Sequence, residues 1–494
     1  MARVMRKPCL LAAALSIAMT ACAKAPAPAP PPAIAAVPAS NQSEIAAFYA
    51  ARGQRPLWVG GGAERRVLDI LTVSGSDGFD PARYRVREIA AALAAGDAQS
   101  LARADLLLSE AWVRYRQDLA APAEAARPIY AEEGLAPAPP GARAVLDAAA
   151  AARDPKAHAD EARRGNAVYD ALREGYVAYR RRWSSLPQVQ LAAVPDTDAL
   201  RRRLGLAAGQ DLGAGLRQFQ RVHGLAETGA ADPGTIEALN RGAAHYERLI
   251  RLNLERARAI PRQDGRFVLV DAAAARLWMF EGRRAAGTMR AIVGKAGMET
   301  PALAGRLRYA VLNPYWNVPA DLARQRAQRV LREGTRLLAR ERLQILSQFH
   351  AEDHVLRPAS VNWRAVAAGR EPLRLRQLPG GANVMGTVKF MMPNARDIYL
   401  HDFPDKSLFA SRDRRLSSGC VRLEDAQLFA RWLFGGTAPR PNGTAPEQRV
   451  DLPQPVPVYI VYLTVVPDAG GLAFQADPEG RDAALLAALE TRRG

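Results

Sequence analysis

The chain has 494 residues, which is room for about three domains and at least one large core. Lys and Arg number 68 and Asp and Glu 50, so the formal net charge is +18, while 49% of the residues are hydrophobic. This balance is globular and excludes a largely disordered chain. The positive charge is compatible with nucleic acid, but only 6% of the residues are aromatic and the arginines are widely spread, so polyanionic cell-surface material suits the charge as well.

The first 23 residues have the features of a secretory signal. Three basic residues precede an apolar run at 8–19 that is too short to span a bilayer comfortably. Cleavage after Ala23 would use a small-x-small site, whereas cleavage before Cys22 would use a sequence that resembles the bacterial lipobox. We favour the second, which makes Cys22 a lipid anchor. Residues 24–43 are rich in Ala and Pro and are typical of a semi-rigid tether.

The chain has three cysteines, and two of them belong to the leader. Cys9 lies in the signal and Cys22 at its end, so an exported chain would keep Cys420 as a single free thiol in an oxidising compartment. Such a thiol is either buried and inert or a reactive nucleophile, and the count alone leaves both readings open.

The exported part begins with two helical regions. Helical spacing of apolar residues predicts a scaffold domain over 44–194, in which we find no chemistry. The compact unit at 195–242 resembles the three-helix peptidoglycan-binding module, mainly over the stretch 216–229. The alternative is an ordinary helical hairpin with Phe219 in its core. A connecting helix is expected over 243–265.

A period-two pattern of hydrophobic residues begins at residue 266 and predicts a mainly-β domain over 266–482. Helical spacing interrupts it at about 320–376, which we interpret as a helical cap inserted into the β domain. The stretch 321–376 carries 12 arginines against 6 acidic residues. A short peripheral tail is expected over 483–494.

One stretch carries the chemistry of acyl transfer. His401 closes an apolar strand, and Cys420 follows a small, Gly-containing turn. A thiolate attacks a carbonyl, an imidazole moves its proton, and an imidazolium nearby would lower the thiol pKa. Gly419 allows close approach of backbone N–H groups that could stabilise an oxyanion. The alternative is a buried, inert Cys with a His bonded to backbone.

The order His401, fifteen residues, then Ser-x-Gly-Cys-Val-Arg resembles the signature of the YkuD-type L,D-transpeptidases, enzymes that remodel bacterial peptidoglycan. Further matches fit the longer, YcbB-like branch of that family: Thr300-Pro301, 313–319, 378–380, Gly386, Lys389-Phe390 and 392–394. The resemblance implies a multidomain α+β protein. Its parts would be a helical scaffold domain, a three-helix peptidoglycan-binding-like module and a mainly-β YkuD-like catalytic domain with an inserted helical cap.

The resemblance also implies roles for single residues. Cys420 would be the nucleophile, His401 its proton partner, and the N–H groups around Gly419 and Cys420 the oxyanion hole. The carbonyl of Asp402 would orient the imidazole. Four residues would border the substrate, although for the first of them a structural salt bridge is an alternative: Arg422, Tyr399, Ser417 and Ser418. The commonest family pattern has His where Ser418 stands, so His401 would transfer the proton alone.

The implied reaction is attack on the L,D bond of a tetrapeptide stem, release of D-Ala, and transfer to the side-chain amine of a neighbouring stem, which links two diaminopimelate residues. The alternatives are an L,D-carboxypeptidase and a non-catalytic wall-binding lipoprotein. We expect no cofactor and no nucleic-acid partner, acylation by carbapenems, and a periplasmic protein anchored to the outer membrane. His350 and His354 are spaced i, i+4 but lack the Glu of the zinc motifs and a third ligand, so we expect no metal.

Overall fold

The computed structural model describes residues 43–348, 354–468 and 471–490. The predicted signal with Cys22 and the predicted tether up to residue 42 lie outside the described residues, as does His350. Within these ranges no helix combines the length and the apolarity that crossing a membrane requires.

The first region is helical and has its own core. A buried carboxylate organises it, because Asp105 accepts hydrogen bonds from the three successive N–H groups at 57–59 and from the hydroxyl of Tyr49. Trp58, Trp112 and Tyr115 fill the space around this carboxylate. The elements are α1 (Ser43–Ala51), α2 (Ala63–Thr72), α3 (Val86–Ala95), α4 (Ala98–Ala120), β1 (Ile129–Tyr130), α5 (Ala142–Ala151), α6 (Pro155–Ala162) and α7 (Ala167–Tyr179).

Three helices follow, each begun by an aspartate whose carboxylate accepts a hydrogen bond from a first-turn N–H. They are α8 (Thr197–Leu204), α9 (Leu212–Val222) and α10 (Pro233–Arg258). α10 is kinked at Gly242, where φ is 73°, and then continues as the predicted connecting helix. That helix ends at Arg258 and not at 265, because Pro261 cannot continue it.

The β domain begins with an antiparallel meander: β2 (Arg266–Asp271), β3 (Arg276–Glu281) and β4 (Arg284–Gly294), followed by β5 (Leu303–Leu312). β2 is buried on both faces. Phe267 and Leu269 pack with the helices α7 to α10, whereas Val268 and Val270 pack inside the β domain. Because both faces are buried, the sequence of this strand over 267–270 is a continuous run of apolar residues without polar alternation.

The inserted cap is only half helical. It comprises β6 (Trp316–Asn317), α11 (Ala320–Glu333), α12 (Arg336–Arg340), β7 (Leu343–Leu346), β8 (Val355–Leu356), α13 (Trp363–Ala367) and β9 (Arg374–Gln377). The expectation of a helical cap is wrong for its second half, where β7, β8 and β9 pair with β6, from the start of the cap, in a sheet of order β6-β9-β7-β8. Leu343 and Ile345 are buried on β7 with Gln344 between them, which is the alternation of a strand.

The remaining strands close the β domain: β10 (Val388–Met391), β11 (Leu400–His401), β12 (Arg415–Ser417), β13 (Val421–Leu423), the helix α14 (Ala426–Leu433) and β14 (Gln448–Val461). The main strand order is β1-β5-β10-β11-β13-β4-β3-β2-β14, and β14 also pairs with β5, so the sheet closes on itself. β11 and β13 are parallel neighbours in the middle of this order.

The chain ends in a hairpin, β15 (Val465–Asp468) and β16 (Gly471–Phe474), and the helix α15 (Arg481–Glu490). The expectation of a peripheral tail from 483 is wrong for the described part of α15. Asp482 forms a buried ion pair of 2.6 Å with Arg256 of α10, and Leu485 is buried. The start of α15 is therefore fastened to the connecting helix.

Candidate active site

The strands β11 and β13 bring four of the predicted residues to one face. Leu400 lies opposite Val421 and His401 opposite Arg422, and the N–H of Val421 donates to the carbonyl of Tyr399 at 3.1 Å. Because side chains two residues apart share a face, Tyr399 and His401 lie beside Cys420 and Arg422. The ring centroids of Tyr399 and His401 are 5.8 Å apart.

His401 is buried, and the structure fixes its tautomer. Its Nδ1 lies 2.6 Å from the carbonyl oxygen of Asp402, so Nδ1 carries the hydrogen and donates it there. Nε2 is then the basic nitrogen, and it has no hydrogen-bond partner in the described part of the chain. Burial, and after it the charge of Arg422, lowers the pKa of His401 to about 3. The imidazole is therefore neutral at physiological pH.

The side-chain carboxylate of Asp402 has a different role from the backbone carbonyl, because it is held in a hydrogen-bond network of its own. One oxygen accepts from the N–H and the hydroxyl of Thr387, and the other from the N–H of Phe403 and the ammonium of Lys406. Although burial opposes it, Lys406 and these N–H groups lower the pKa of Asp402, which stays ionised. A side chain at Gly386, where φ is 61°, would overlap this carboxylate. The network fixes the backbone that holds His401.

Cys420 is partly exposed. Its Sγ lies 3.7 Å from the carbonyl oxygen of Asp397, to which the thiol donates, and the side chain of Tyr399 is close enough to interact with it electrostatically. Burial raises the pKa of the Cys420 thiol, although Tyr399 and Arg422 act in the opposite direction. The expectation that an imidazolium lowers the thiol pKa is wrong for the free protein, because the neighbouring imidazole is neutral. The resting pair is a thiol and a neutral base.

The turn before Cys420 is braced by two hydroxyl groups. Ser417 Oγ accepts from the N–H of Gly419 at 3.1 Å and donates to the carbonyl of Cys420 at 2.6 Å. Thr300 Oγ1 donates to the carbonyl of Gly419 at 2.7 Å and accepts from the N–H of Gly294 at 2.9 Å. Ser417 is therefore buried support for the turn, and a contact between it and the substrate stays a prediction.

These bonds change the predicted oxyanion hole. The N–H of Gly419 is already used by Ser417, so it is not free for an oxyanion. The N–H of Cys420 has no acceptor in the ranges that the structure describes, and it is the donor that remains. Ser418, which lies between Ser417 and Gly419, is exposed. Gly419 itself adopts a φ of 113°, which only glycine takes without strain.

Arg422 is a half-buried cation beside the thiol. Its guanidinium lies over the ring of Phe403 at 4.3 Å, and its Nε is buried without a hydrogen-bond partner. Among the described residues no carboxylate pairs with it, so the salt bridge that we considered for Arg422 does not form there. Burial lowers the pKa of Arg422, although the guanidinium remains charged.

Several supporting residues had no role in the sequence analysis. Met385, in the cap core, lies 3.6 Å through its sulfur from the hydroxyl of Tyr399. Asn394 accepts through Oδ1 from two N–H groups of the loop that presents Asp397. In the sequence analysis, 392–394 was only one of the family matches. No local sequence pattern indicates that Asn394 holds the loop that lies next to Cys420.

No cluster of three or more metal-ligating side chains occurs within 43–348, 354–468 and 471–490. His354 is exposed at the edge of the cap, next to the segment that is not described.

Comparison with known proteins identifies the parts of the chain. Residues 43–175 match the Scaffold domain family, and residues 265–460 match the L,D-transpeptidase catalytic domain family, YkuD. A curated protein of Haemophilus influenzae named "Putative L,D-transpeptidase" is 32% identical over 200 residues, which are 39% of this chain and 40% of that protein. The chain therefore matches less than half the length of this relative.

Two solved structures are also similar over part of their length. An L,D-transpeptidase from Mycobacterium smegmatis is 12% identical, with 40% of this chain and 58% of that chain covered and a TM-score of 0.20. An Ldtfm-avibactam carbamoyl enzyme is 11% identical, with 41% and 51% covered and a TM-score of 0.18. At these values the structures add no argument to the sequence match. On that match, residues 265–460 are similar to the YkuD-family L,D-transpeptidase catalytic domain, and residues 43–175, which precede them in the same chain, are similar to the Scaffold domain.

Proposed function

We propose that this chain is a peptidoglycan L,D-transpeptidase that works through a thioester on Cys420. It would release D-Ala from a tetrapeptide stem and link two diaminopimelate residues. One observation carries the proposal: a thiol, a neutral imidazole with a free Nε2 and an unpaired guanidinium share one face of the catalytic domain. Membership of the YcbB-like branch remains a prediction.

The first step is acylation of the thiol. Sγ of Cys420 attacks the carbonyl carbon between the L-centre of diaminopimelate and D-Ala, while Nε2 of His401 takes the thiol proton. The oxyanion then lies against the N–H of Cys420. When the tetrahedral intermediate collapses, the C–N bond breaks and Nε2 returns the proton to the nitrogen of the departing D-Ala.

Substrate binding would raise the pKa of His401 and so make it a stronger base. In the free protein the charge of Arg422 helps to hold the pKa of His401 low, which makes the imidazole a weak base. A stem carboxylate bound to Arg422 would offset that charge and raise the pKa of His401. The pair would then become reactive when a donor stem is in place, and the free thiol would stay protonated and less open to oxidation.

The second step is transfer of the acyl group to an amine. The side-chain amine of an acceptor stem attacks the thioester, its proton passes to Nε2, and the thiol is restored when the C–S bond breaks. Because water competes with the amine, exclusion of water favours cross-linking over hydrolysis. The cap reaches the site through Met385 and Tyr399 and is the part of the chain suited to that task. Its arginines would attract acidic stems.

We also propose that carbapenems acylate Cys420, and that the protein is a periplasmic lipoprotein anchored to the outer membrane through Cys22. Addition of a carbapenem to the purified protein should raise its mass by one inhibitor, and Cys420→Ala should remove that adduct. Metabolic labelling with a radioactive fatty acid should mark the wild-type chain and leave Cys22→Ala unlabelled.

The chain lacking residues 1–23, mixed with purified disaccharide-tetrapeptide, tests the activity by mass spectrometry. A dimer that has lost one D-Ala, absent with Cys420→Ala, is the expected product. Tripeptide monomer alone would make the protein an L,D-carboxypeptidase under those conditions. If neither product nor an acyl adduct on Cys420 forms, the catalytic proposal fails and a wall-binding role takes its place.

A further inference from the structure

A cavity of about 320 Å³ lies far along the chain from the site, at the junction of the scaffold helices with the end of α10. Its walls come from α4, the loop at 137–138, α6, and the residues that follow Arg258. The volume falls at the lower end of the range for small-molecule sites. None of the residues that form it takes part in the proposed reaction.

The polar lining is strongly cationic. Four arginines line the cavity, namely Arg116, Arg164, Arg258 and Arg262, against the single carboxylate of Glu161. That carboxylate is already shared, because Arg262 pairs with it at 2.7 Å and Arg164 at 3.3 Å. Arg258 is almost completely buried and pairs with Glu255, yet its Nε has no hydrogen-bond partner.

Arg116 is the unusual member of this group. No hydrogen bond or ion pair joins it to any residue in the described part of the chain, and its Nε is buried. Burial lowers the pKa of Arg116, and the nearby charge of Arg262 acts in the same direction. A desolvated guanidinium without an anion is costly, and Arg116 is in that position. The other three arginines are paired with Glu161 or Glu255, but their charges still repel that of Arg116. The cavity therefore has more guanidinium groups than carboxylates in its lining, and Arg116 lacks a negative partner.

We propose that this cavity is a binding site for a small organic anion that carries carboxylate groups. Guanidinium groups bind carboxylate and phosphate oxygens in the same bidentate way, so the charge alone indicates an oxyanion. Most of the remaining wall is apolar, with Leu119, Pro137 and Ile260 among its members, and its other polar residues are His158, Asn166 and Tyr169. A free phosphate would leave that wall uncovered, whereas a carboxylate-bearing organic molecule would pack against it.

Titration calorimetry of the full-length protein in detergent, with citrate as the probe, tests the site. We expect one citrate per chain, and a dissociation constant that rises about tenfold or more in Arg116→Gln. Arg114→Gln is the matched control, because Arg114 lies on the same helix, is exposed and does not line the cavity. It removes the same charge and should leave the affinity unchanged.

Two further measurements separate a binding site from a structural role. Without ligand, Arg116→Gln should raise the thermal midpoint, because it removes an unpaired buried charge; a lower midpoint would show that Arg116 supports the fold and would contradict the proposal. Ala138→Trp should abolish citrate binding by filling the cavity from its exposed rim. If inorganic phosphate binds more tightly than citrate, the proposal of an organic ligand is wrong. If Arg116→Gln and Arg114→Gln lose citrate affinity equally, the proposal of a site in this cavity is wrong.

Discussion

His223 and His401 are both buried, and both donate a hydrogen bond from Nδ1 to a backbone carbonyl oxygen, at 2.8 Å and 2.6 Å. Burial lowers the pKa of each to about 3. They differ at the second nitrogen. Nε2 of His223 lies 3.1 Å from the hydroxyl of Tyr179, within a cluster of aromatic rings. Nε2 of His401 has no partner among the described residues and shares a face with Cys420.

The difference shows what separates a core histidine from a candidate base. Burial and a depressed pKa are common to both, so neither identifies a catalytic group. His223 bonds through Nε2 to Tyr179 of α7 and stacks its ring on Phe474 of β16, so both of its nitrogens are satisfied. The free nitrogen of His401 is open to a proton from the thiol.

Removing each imidazole in turn is the most direct test of this difference between the two histidines. His401→Gln should lower the rate of D-Ala release about 10²- to 10⁴-fold, because the general base is lost. His223→Gln should leave the rate per folded molecule unchanged and should lower the free energy of unfolding by about 1–3 kcal/mol, because a packed ring and its hydrogen bonds are lost. Product formation and thermal melting, measured on both variants, check this. An equal fall in rate for the two would refute the distinction.

A second prediction concerns the thiol that faces the free nitrogen. With a neutral His401 and a raised thiol pKa, the alkylation rate of Cys420 by iodoacetamide should rise about tenfold for each pH unit between about pH 7 and about pH 9. The chain lacking residues 1–23 has no other cysteine, so its intact mass reports Cys420 alone. His401→Gln should keep the same slope. A rate that is independent of pH in this range would indicate a thiolate–imidazolium pair.

The sequence predicted His401 and Cys420 as a candidate pair because the order His, fifteen residues, Ser-x-Gly-Cys-Val-Arg resembles a family signature. It could not predict their support. Thr300 reaches Gly419 across the sheet, and Ser417 becomes a brace only once β12 lies beside β4. Such contacts depend on pairing between distant segments, which leaves no local pattern.

The cap shows the same limit. Its first helix was predicted correctly from its spacing, but β7 and β9 are four residues each and are separated by about one helix and two turns. Strands this short carry too few alternations to be recognised, and the arginines around them favour a helical reading. Only their pairing, Ile345 opposite Leu375, makes the sheet.

A third prediction tests what fixes the first nitrogen of His401. Gly386→Ala and Gly209→Ala both place a methyl group at positive φ, 61° and 83°, which costs about 1–2 kcal/mol of stability in each. At Gly209 the space is open, whereas at Gly386 the methyl group would displace the carboxylate of Asp402. Gly386→Ala should therefore also lower the rate of D-Ala release, and Gly209→Ala should not. Rates and melting curves of the two variants decide it; equal rates would show that the Asp402 network does not position the imidazole.

The smallest expected effect is on the pH dependence of stability. Each histidine has a pKa of about 3 in the folded chain, against an ordinary value of 6.5, so below 6.5 the unfolded chain binds a proton that the folded chain refuses. The contribution of these two histidines to the free energy of unfolding is therefore fully present above pH 6.5. It is lost as the pH falls towards 3, by about 1.4 kcal/mol per pH unit for each such proton. Urea unfolding at several pH values should show this slope reduced by one proton in His223→Gln and by one proton in His401→Gln. An unchanged slope in either variant would mean that its histidine is not held neutral by burial. If the two substitutions change the pH dependence of stability equally but only His401→Gln lowers the activity, the catalytic difference between the two histidines lies in the free Nε2 of His401.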